Sequence, residues 1–296
     1  MTPIGISEIL KAVDGTLLWG DENGVVTNVV TDSRKAGKGS LYVPIVGERV
    51  DAHQFIPQVM QAGASVTFSS KKDVVPAASG SCIYVEDTLA ALQKTAAYYR
   101  GRFDIPVIGV TGSVGKTTTK EMISAVLEKK YRVVKTQGNW NSQIGVALMM
   151  FELEPETELA IFEMGMSLPG EMARLVEIAK PQTAVMTNIG VSHIGNLGSR
   201  ENIAKEKGHI VKYVGTSHNG KLYICGNGDM KQITGENVPY SLCQVKCPIC
   251  YYGTEADCEV RATDLTVIET GQKFVYHGRQ TGEVELSVIC LLYTSD

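Results

Sequence analysis

Val110-Thr-Gly112-Ser-Val-Gly115-Lys116-Thr117-Thr118 is the stretch on which the reading of the fold turns. Two glycines in a run of small residues let successive backbone N–H groups converge on one point, and the lysine and hydroxyl that follow supply a positive charge and a metal-binding oxygen. A triphosphate suits such a turn. Gly112, Ser113, Val114, Gly115, Lys116, Thr117 and Thr118 are its expected cradle, with Lys116 reaching the terminal phosphates of ATP and Thr117 its Mg2+. The strict pattern G-x-x-x-x-G-K-S/T is missed by one place, because Val110 stands where the first glycine belongs and Gly109 comes one residue too early.

On either side of the turn the required elements are in order. Ile105-Pro-Val-Ile-Gly-Val110 is an apolar run of strand length, and Met122, Ile123, Val126 and Leu127 form a stripe at helical spacing. Further on, Leu159 to Phe162, Ala184 to Thr187 and Leu222 to Cys225 read as buried strands, with helices predicted from Gly170 to Ala179 and from Ser199 to Val214. Apolar strands separated by helices make a parallel sheet covered on both faces. After Tyr240 polar and apolar residues alternate over Glu259 to Ile268, Gln272 to His277 and Glu283 to Ile289, as in hairpins with one wet face.

Before the turn lies a smaller α/β pattern. Strands are predicted over Val25 to Thr31, Leu41 to Val46, Ser65 to Phe68 and Cys82 to Val85, a helix over Phe55 to Ala62, and a helix capped by Asp87 with Leu89, Leu92, Ala96 and Tyr99 on one face. The expected division is therefore an N-terminal α/β domain over 1–103, its boundary falling within 86–104, and a phosphate-loop domain over 104–296 with a mainly parallel sheet and a smaller antiparallel part near the C-terminus.

Composition narrows the class. The chain has 296 residues, 44% of them hydrophobic, which suffices for two cores, and a net charge of −4 excludes a surface built for general nucleic-acid binding. No leader pattern opens the chain and no apolar run approaches membrane-spanning length, so a cytoplasmic protein without membrane insertion is expected. Cys247-Pro-Ile-Cys250, near Cys243 and Cys258, has a spacing that zinc can use, but a second close pair is missing and buried thiols are the expectation.

Ligands of open parallel sheets sit beyond the carboxyl ends of the strands. The strand after the phosphate loop ends in Glu163, and the next ends in Asn188-Ile-Gly with His193 shortly after. A carboxylate and an imidazole thus join the triphosphate turn on one rim, as a Mg-ATP site requires. Lys207 is unusual because it lies on the apolar stripe of Ile203, Ile210, Val211 and Val214, where a charged amine is costly unless paired or modified, whereas Lys205 and Lys212 fall on the wet face.

These residues resemble the Mur ligases of peptidoglycan synthesis, and within them the branch that adds a dipeptide. The resemblance is carried by Thr31-Asp-Ser-Arg34, Gly47-Glu-Arg-Val-Asp-Ala-His53, Thr111-Gly-Ser-Val-Gly-Lys-Thr-Thr-Thr-Lys-Glu-Met122, Gly138-Asn-Trp-Asn-Ser-Gln-Ile-Gly145, Glu163-Met-Gly-Met166 and Thr187-Asn-Ile-Gly-Val-Ser-His193. The family's loop is T-G-x-x-G-K-T, which accounts for the one-place misfit.

The resemblance implies an ATP- and Mg2+-dependent ligase joining D-alanyl-D-alanine to UDP-N-acetylmuramoyl-tripeptide through an acyl phosphate, acting as a monomer. It implies catalytic roles for Lys116, Lys207 and His193, and Mg2+ ligation by Thr117, Glu163, His193 and a carbamylated Lys207. Asn139 and Asn141 are then expected at the nucleotide, and Ser33 and Arg34 at the UDP-sugar. Ser142 and Ala147 depart from the family's usual asparagine and proline. The family's C-terminal domain has no counterpart here, and the last residues do not resemble its continuation, so a fragment with little or no ligation is expected. A ligase adding a single amino acid, a folate polyglutamylating enzyme and a nucleotide-binding regulatory module are the alternatives.

Overall fold

The computed structural model describes residues 1–216, 218–234 and 245–287. Cys243 and the terminal residues 288–296, on which part of the sequence reading fell, lie outside the described residues. In chain order the elements are β1 (Ile4–Gly5), α1 (Ile6–Val13), β2 (Thr16–Trp19), β3 (Val25–Val26), β4 (Asn28–Val30), β5 (Ser40–Tyr42), α2 (Ile56–Gln61), β6 (Val66–Ser69), β7 (Ser81–Tyr84) and α3 (Thr88–Arg100). There follow β8 (Val107–Thr111), α4 (Lys116–Leu127), β9 (Val133–Lys135), α5 (Gln143–Met150), β10 (Leu159–Glu163), α6 (Glu171–Ala179), β11 (Thr183–Met186), α7 (Ile194–Leu197) and α8 (Arg200–Gly215). The chain continues with β12 (Lys221–Cys225), α9 (Met230–Thr234), β13 (Ile249–Gly253), β14 (Val260–Ile268), β15 (Gly271–His277) and β16 (Thr281–Leu286).

Two compact units result. Unit 1 comprises Met1–Ile105, Lys130–Ala160 and Glu177–Ala179; unit 2 comprises Pro106–Lys129, Ile161–Val176 and the chain from Lys180 on. Unit 1 has a five-stranded sheet in the order β2-β7-β6-β5-β4, parallel from β4 to β7 with β2 antiparallel at the edge. Its inner strands are apolar on both faces, with Leu41, Tyr42, Val66, Phe68, Cys82 and Ile83 buried. Helix α3 starts where Asp87 accepts the N–H groups of Leu89 and Ala90, at 2.8 and 3.1 Å, and it buries Ala91, Leu92, Thr95, Ala96 and Tyr99. At its end the buried guanidinium of Arg100 donates to the carbonyls of Ala179, Phe103 and Ile105, which satisfies a charge that would otherwise be expensive to bury.

In unit 2 the sheet runs β16-β15-β14-β13-β12-β11-β8-β10. The pairs β8/β11, β11/β12, β12/β13 and β13/β14 are parallel, and β14/β15 and β15/β16 are antiparallel hairpins. The parallel sheet with a smaller antiparallel extension is thus as the sequence pattern indicates, with β13 an added parallel strand where the sequence showed only a thiol cluster. Among the described residues Cys247 and Cys258 are buried, and Cys225 and Cys250 half-buried.

Helix α4 differs from expectation in its facing. Lys120 and Ser124 are its buried residues, while Met122 is 37% and Val126 71% exposed. The helix's rotation is fixed at its first turn, where Thr117 must face the sheet; at about 100° per residue, Ser124 falls on the same side as Thr117 and Val126 on the opposite one. Among the described residues no helix is long and apolar enough to cross a membrane.

Candidate active site

Strand β8 stops at Thr111 because the backbone then needs conformations that only glycine takes easily. Gly112 has φ +147°, and a Cβ there would meet the Thr187 hydroxyl at 1.9 Å; Gly115 has φ +80° and hands the chain to α4. Any side chain at Gly112 would push the loop off the end of β11.

The loop is held from that side. The side-chain oxygen of Asn188 accepts the N–H groups of Ser113 and Val114, at 3.0 and 2.9 Å, and its main-chain oxygen also accepts Ser113 N–H at 3.1 Å. Thr187 Oγ1 donates to Val114 O at 2.5 Å, and Gly190 N donates to Ser113 Oγ at 2.8 Å.

Four of the residues singled out in the sequence meet around this loop. Lys116 curls back so that Nζ lies 2.9 Å from Gly112 O and 3.3 Å from Ser113 O. Thr117 Oγ1 donates to Glu163 Oε2 at 2.8 Å, and Glu163, at the end of β10, is 1% exposed. Lys207, equally buried on α8, donates from Nζ to Gly112 O at 3.0 Å. Burial pushes the Lys207 amine down to about 8, the nearby Lys116 charge pushes the same way, and Glu206 opposes them. Burial likewise lowers Lys116, with Glu163 opposing.

Lys207 faces the loop because of its neighbour. Glu206, also buried, accepts the N–H groups of Gly170 and Met172 at 2.9 Å each and so caps α6, whose N-cap Gly170 has no side chain to do it. Lys205 and Lys212 are exposed, as the stripe requires. His193 stands in the exposed segment after β11 and caps α7 in the left-handed region, at φ 66°. Arg200 steadies that segment by donating to Ile189 O at 2.8 Å while forming a two-pronged pair with Asp229.

Thr117 and Glu163 offer a hydroxyl and a carboxylate oxygen side by side, hard donors that suit Mg2+. Among the described residues no group of three or more His, Cys, Asp or Glu is arranged to hold a metal ion. Phosphate oxygens completing the coordination is the usual arrangement for Mg2+.

The remaining predicted residues belong to unit 1. Ser33 and Arg34 form a 3-10 turn at the carboxyl end of β4; Arg34 is bidentate to Asp32, at 2.9 and 2.7 Å, and holds that carboxyl down at about 2. Asn139 and Asn141 lie in the loop between β9 and α5, bonded to each other through Asn141 N–H and Asn139 O at 2.7 Å. Ser142 caps α5 by accepting Gly145 N–H, and a Cβ on Gly145 would lie 2.6 Å from the Trp140 backbone. Asn188, Thr187 and Glu206 were given no role from the sequence; the first two stood there only as a strand end and part of a family segment, and Glu206 only beside an out-of-place lysine.

A phosphate loop at the switch from β8 to α4, with an acidic strand end and a buried lysine converging on it, defines a nucleotide-handling α/β protein. A Mur ligase middle domain matches residues 110–291, and the Mur ligase family catalytic domain matches residues 25–100. This chain belongs to the Mur ligase family. It is 44% identical over 185 residues to the UDP-N-acetylmuramoyl-tripeptide--D-alanyl-D-alanine ligase of Bacillus subtilis strain 168, a match that covers 62% of this chain and 40% of that protein. The crystal structure of MurF from Acinetobacter baumannii superposes with a TM-score of 0.87 at 27% identity, covering 98% of this chain and 62% of the other. MurF from Thermotoga maritima, solved in complex with ADP, gives 0.76 at 29% identity, covering 87% and 57%. The chain thus spans about two fifths of the curated relative's length.

Proposed function

We propose that this chain carries the nucleotide site of an ATP-dependent ligase that joins D-alanyl-D-alanine to UDP-N-acetylmuramoyl-tripeptide. The observation that carries the reading is the convergence of Lys116, Lys207 and the Thr117–Glu163 pair on one glycine-rich turn. In the reaction, a tripeptide carboxylate oxygen attacks the γ-phosphorus of ATP and ADP leaves. The dipeptide amine then attacks the acyl phosphate and inorganic phosphate leaves.

Lys116 holds the terminal phosphates and offsets the charge that develops on them, while Thr117 and Glu163 hold Mg2+, with His193 and a carbamylated Lys207 as further ligands. Bound there, Mg2+ supplies positive charge to the phosphate oxygens. A buried lysine with a lowered pKa is neutral often enough to react with CO2, and the carbamate would turn an amine into an oxygen donor. Asn139 and Asn141 serve the nucleotide, and Ser33 and Arg34 the UDP-sugar. We place the division between a UDP-substrate domain over 1–103 and an ATP-binding domain from 104, in a cytoplasmic monomer.

Calorimetric titration of the 296-residue chain with Mg-ADP and with UDP-N-acetylmuramoyl-tripeptide tests the reading. Saturable binding of both supports it. Binding of Mg-ADP without any binding of the UDP-tripeptide would favour a nucleotide-controlled regulatory module. In a ligase assay, ADP release that requires the dipeptide supports the reading, and release with single amino acids in its place would refute it.

A further inference from the structure

The phosphate loop is divided. In its first half, Ser113 and Val114 are already hydrogen-bonded to the residues just past β11, whereas the N–H groups of Gly115, Lys116, Thr117 and Thr118 precede the first bond inside α4, from Thr119 N to Gly115 O. We propose that Thr187 and Asn188 are positioning residues for nucleotide binding: they brace the first half of the loop so that phosphate is received by the second half alone. The inference rests on the loop being a nucleotide site.

The competing possibility is that the Asn188 oxygen stands in for a phosphate oxygen and swings away when nucleotide arrives. The geometry opposes it. Asn188 is anchored through its main-chain oxygen as well as its side chain, and Thr187 is held in register with β8 by the bond from its N–H to Thr111 O at 2.9 Å. Thr187 Oγ1 grips Val114 O from the other side, and Gly190 N–H reaches Ser113 Oγ. Withdrawing the Asn188 side chain would open its two bonds to Ser113 and Val114 in a place where Gly112 has no room to shift, since even a Cβ there would collide with Thr187. The two N–H groups therefore point into the end of the sheet, and the brace fixes the direction in which Gly115 and the first turn of α4 present theirs.

The test is Mg-ADP titration of the 296-residue chain, well below its melting temperature, as the unaltered protein and as Asn188→Ala, Thr187→Val and Thr187→Ser. The expected result is a loss of affinity of about tenfold for Asn188→Ala, the cost of two unmade bonds that orient the loop. Thr187→Val loses several-fold, and Thr187→Ser, which keeps the hydroxyl, recovers to within about twofold. A role in stability alone would lower the melting temperature and leave the affinity of the folded protein unchanged. Equal or tighter ADP binding by Asn188→Ala overturns the proposal, the tighter case in favour of a displaced placeholder. If Asn188→Ala does not fold, equal affinities for Thr187→Val and Thr187→Ser overturn it. Failure of the unaltered chain to bind Mg-ADP overturns the functional reading together with this one, whereas a difference confined to the variants concerns the brace alone.

Discussion

Lys207 is the residue whose burial has the plainest consequence for stability. Its folded value of about 8 lies below the ordinary lysine value of 10.5, so between those pH values the unfolded chain holds a proton that the folded one has released. Stability therefore rises with pH from about 8 to 10.5, and the penalty is fully present below about 8. Lys207→Met is expected to stabilise the ligand-free protein by about 2 kcal/mol at pH 7 and to flatten that rise, as urea titrations at several pH values would show. His193 is at odds with its backbone, since a left-handed φ of 66° costs a side chain about 1 kcal/mol. His193→Gly should raise stability by about that amount while weakening the Mg2+ dependence of ADP binding. A gain in stability with unchanged Mg2+ dependence would remove His193 from the metal site. Neither effect was visible in the sequence beyond the oddity of Lys207 on an apolar stripe, because backbone strain at His193 depends on how the chain leaves β11.

At the scale of elements, α4 shows where periodicity informs and where it misleads. Its stripe of Met122, Ile123, Val126 and Leu127 is correctly helical, but the phosphate loop sets the rotation, and Ser124 rather than Val126 is buried. Val126→Gln is accordingly expected to change stability by less than about 0.5 kcal/mol, whereas Ser124→Leu should cost about 2 kcal/mol through overpacking and the lost bond to Glu128. The reverse ranking in thermal melts would mean that α4 faces the other way. Most strands of both sheets were legible because apolar runs of strand length leave little choice once helices separate them, but the short edge strand β2 of unit 1 was not read. Strand β13 was not legible either, since Cys247, Cys250 and their neighbours suggested thiol chemistry and only pairing with β12 and β14 makes Ile249–Gly253 a strand. The pairing of Thr187 and Asn188 with the loop was equally hidden, because it joins segments more than 70 residues apart.

For the whole molecule, the candidate site gathers distant parts of the sequence into unit 2: residues 111–118, 163–166, 187–190 and the turn of α8 around Lys207. Hydrogen exchange with and without Mg-ADP should slow in these four stretches together, and a footprint limited to 111–118 would show that the convergence does not operate in solution. What the sequence disclosed of this assembly was its inventory: the loop and Glu163 were recognisable by type and strand end, and Lys207 by its place on an apolar stripe. What it withheld was the set of uncharged contacts that hold them, since an asparagine or threonine at a strand end looks alike whether or not it bonds to anything.

One carbonyl in that assembly, Gly112 O, receives the ammonium groups of both Lys116 and Lys207. With Lys207 unmodified, two cations leaning on a single neutral oxygen attract whatever small dianion the solution contains. Sulfate or phosphate in a storage buffer would lodge there, so nucleotide affinities measured in phosphate should come out weaker than those measured at the same pH and ionic strength in a zwitterionic buffer.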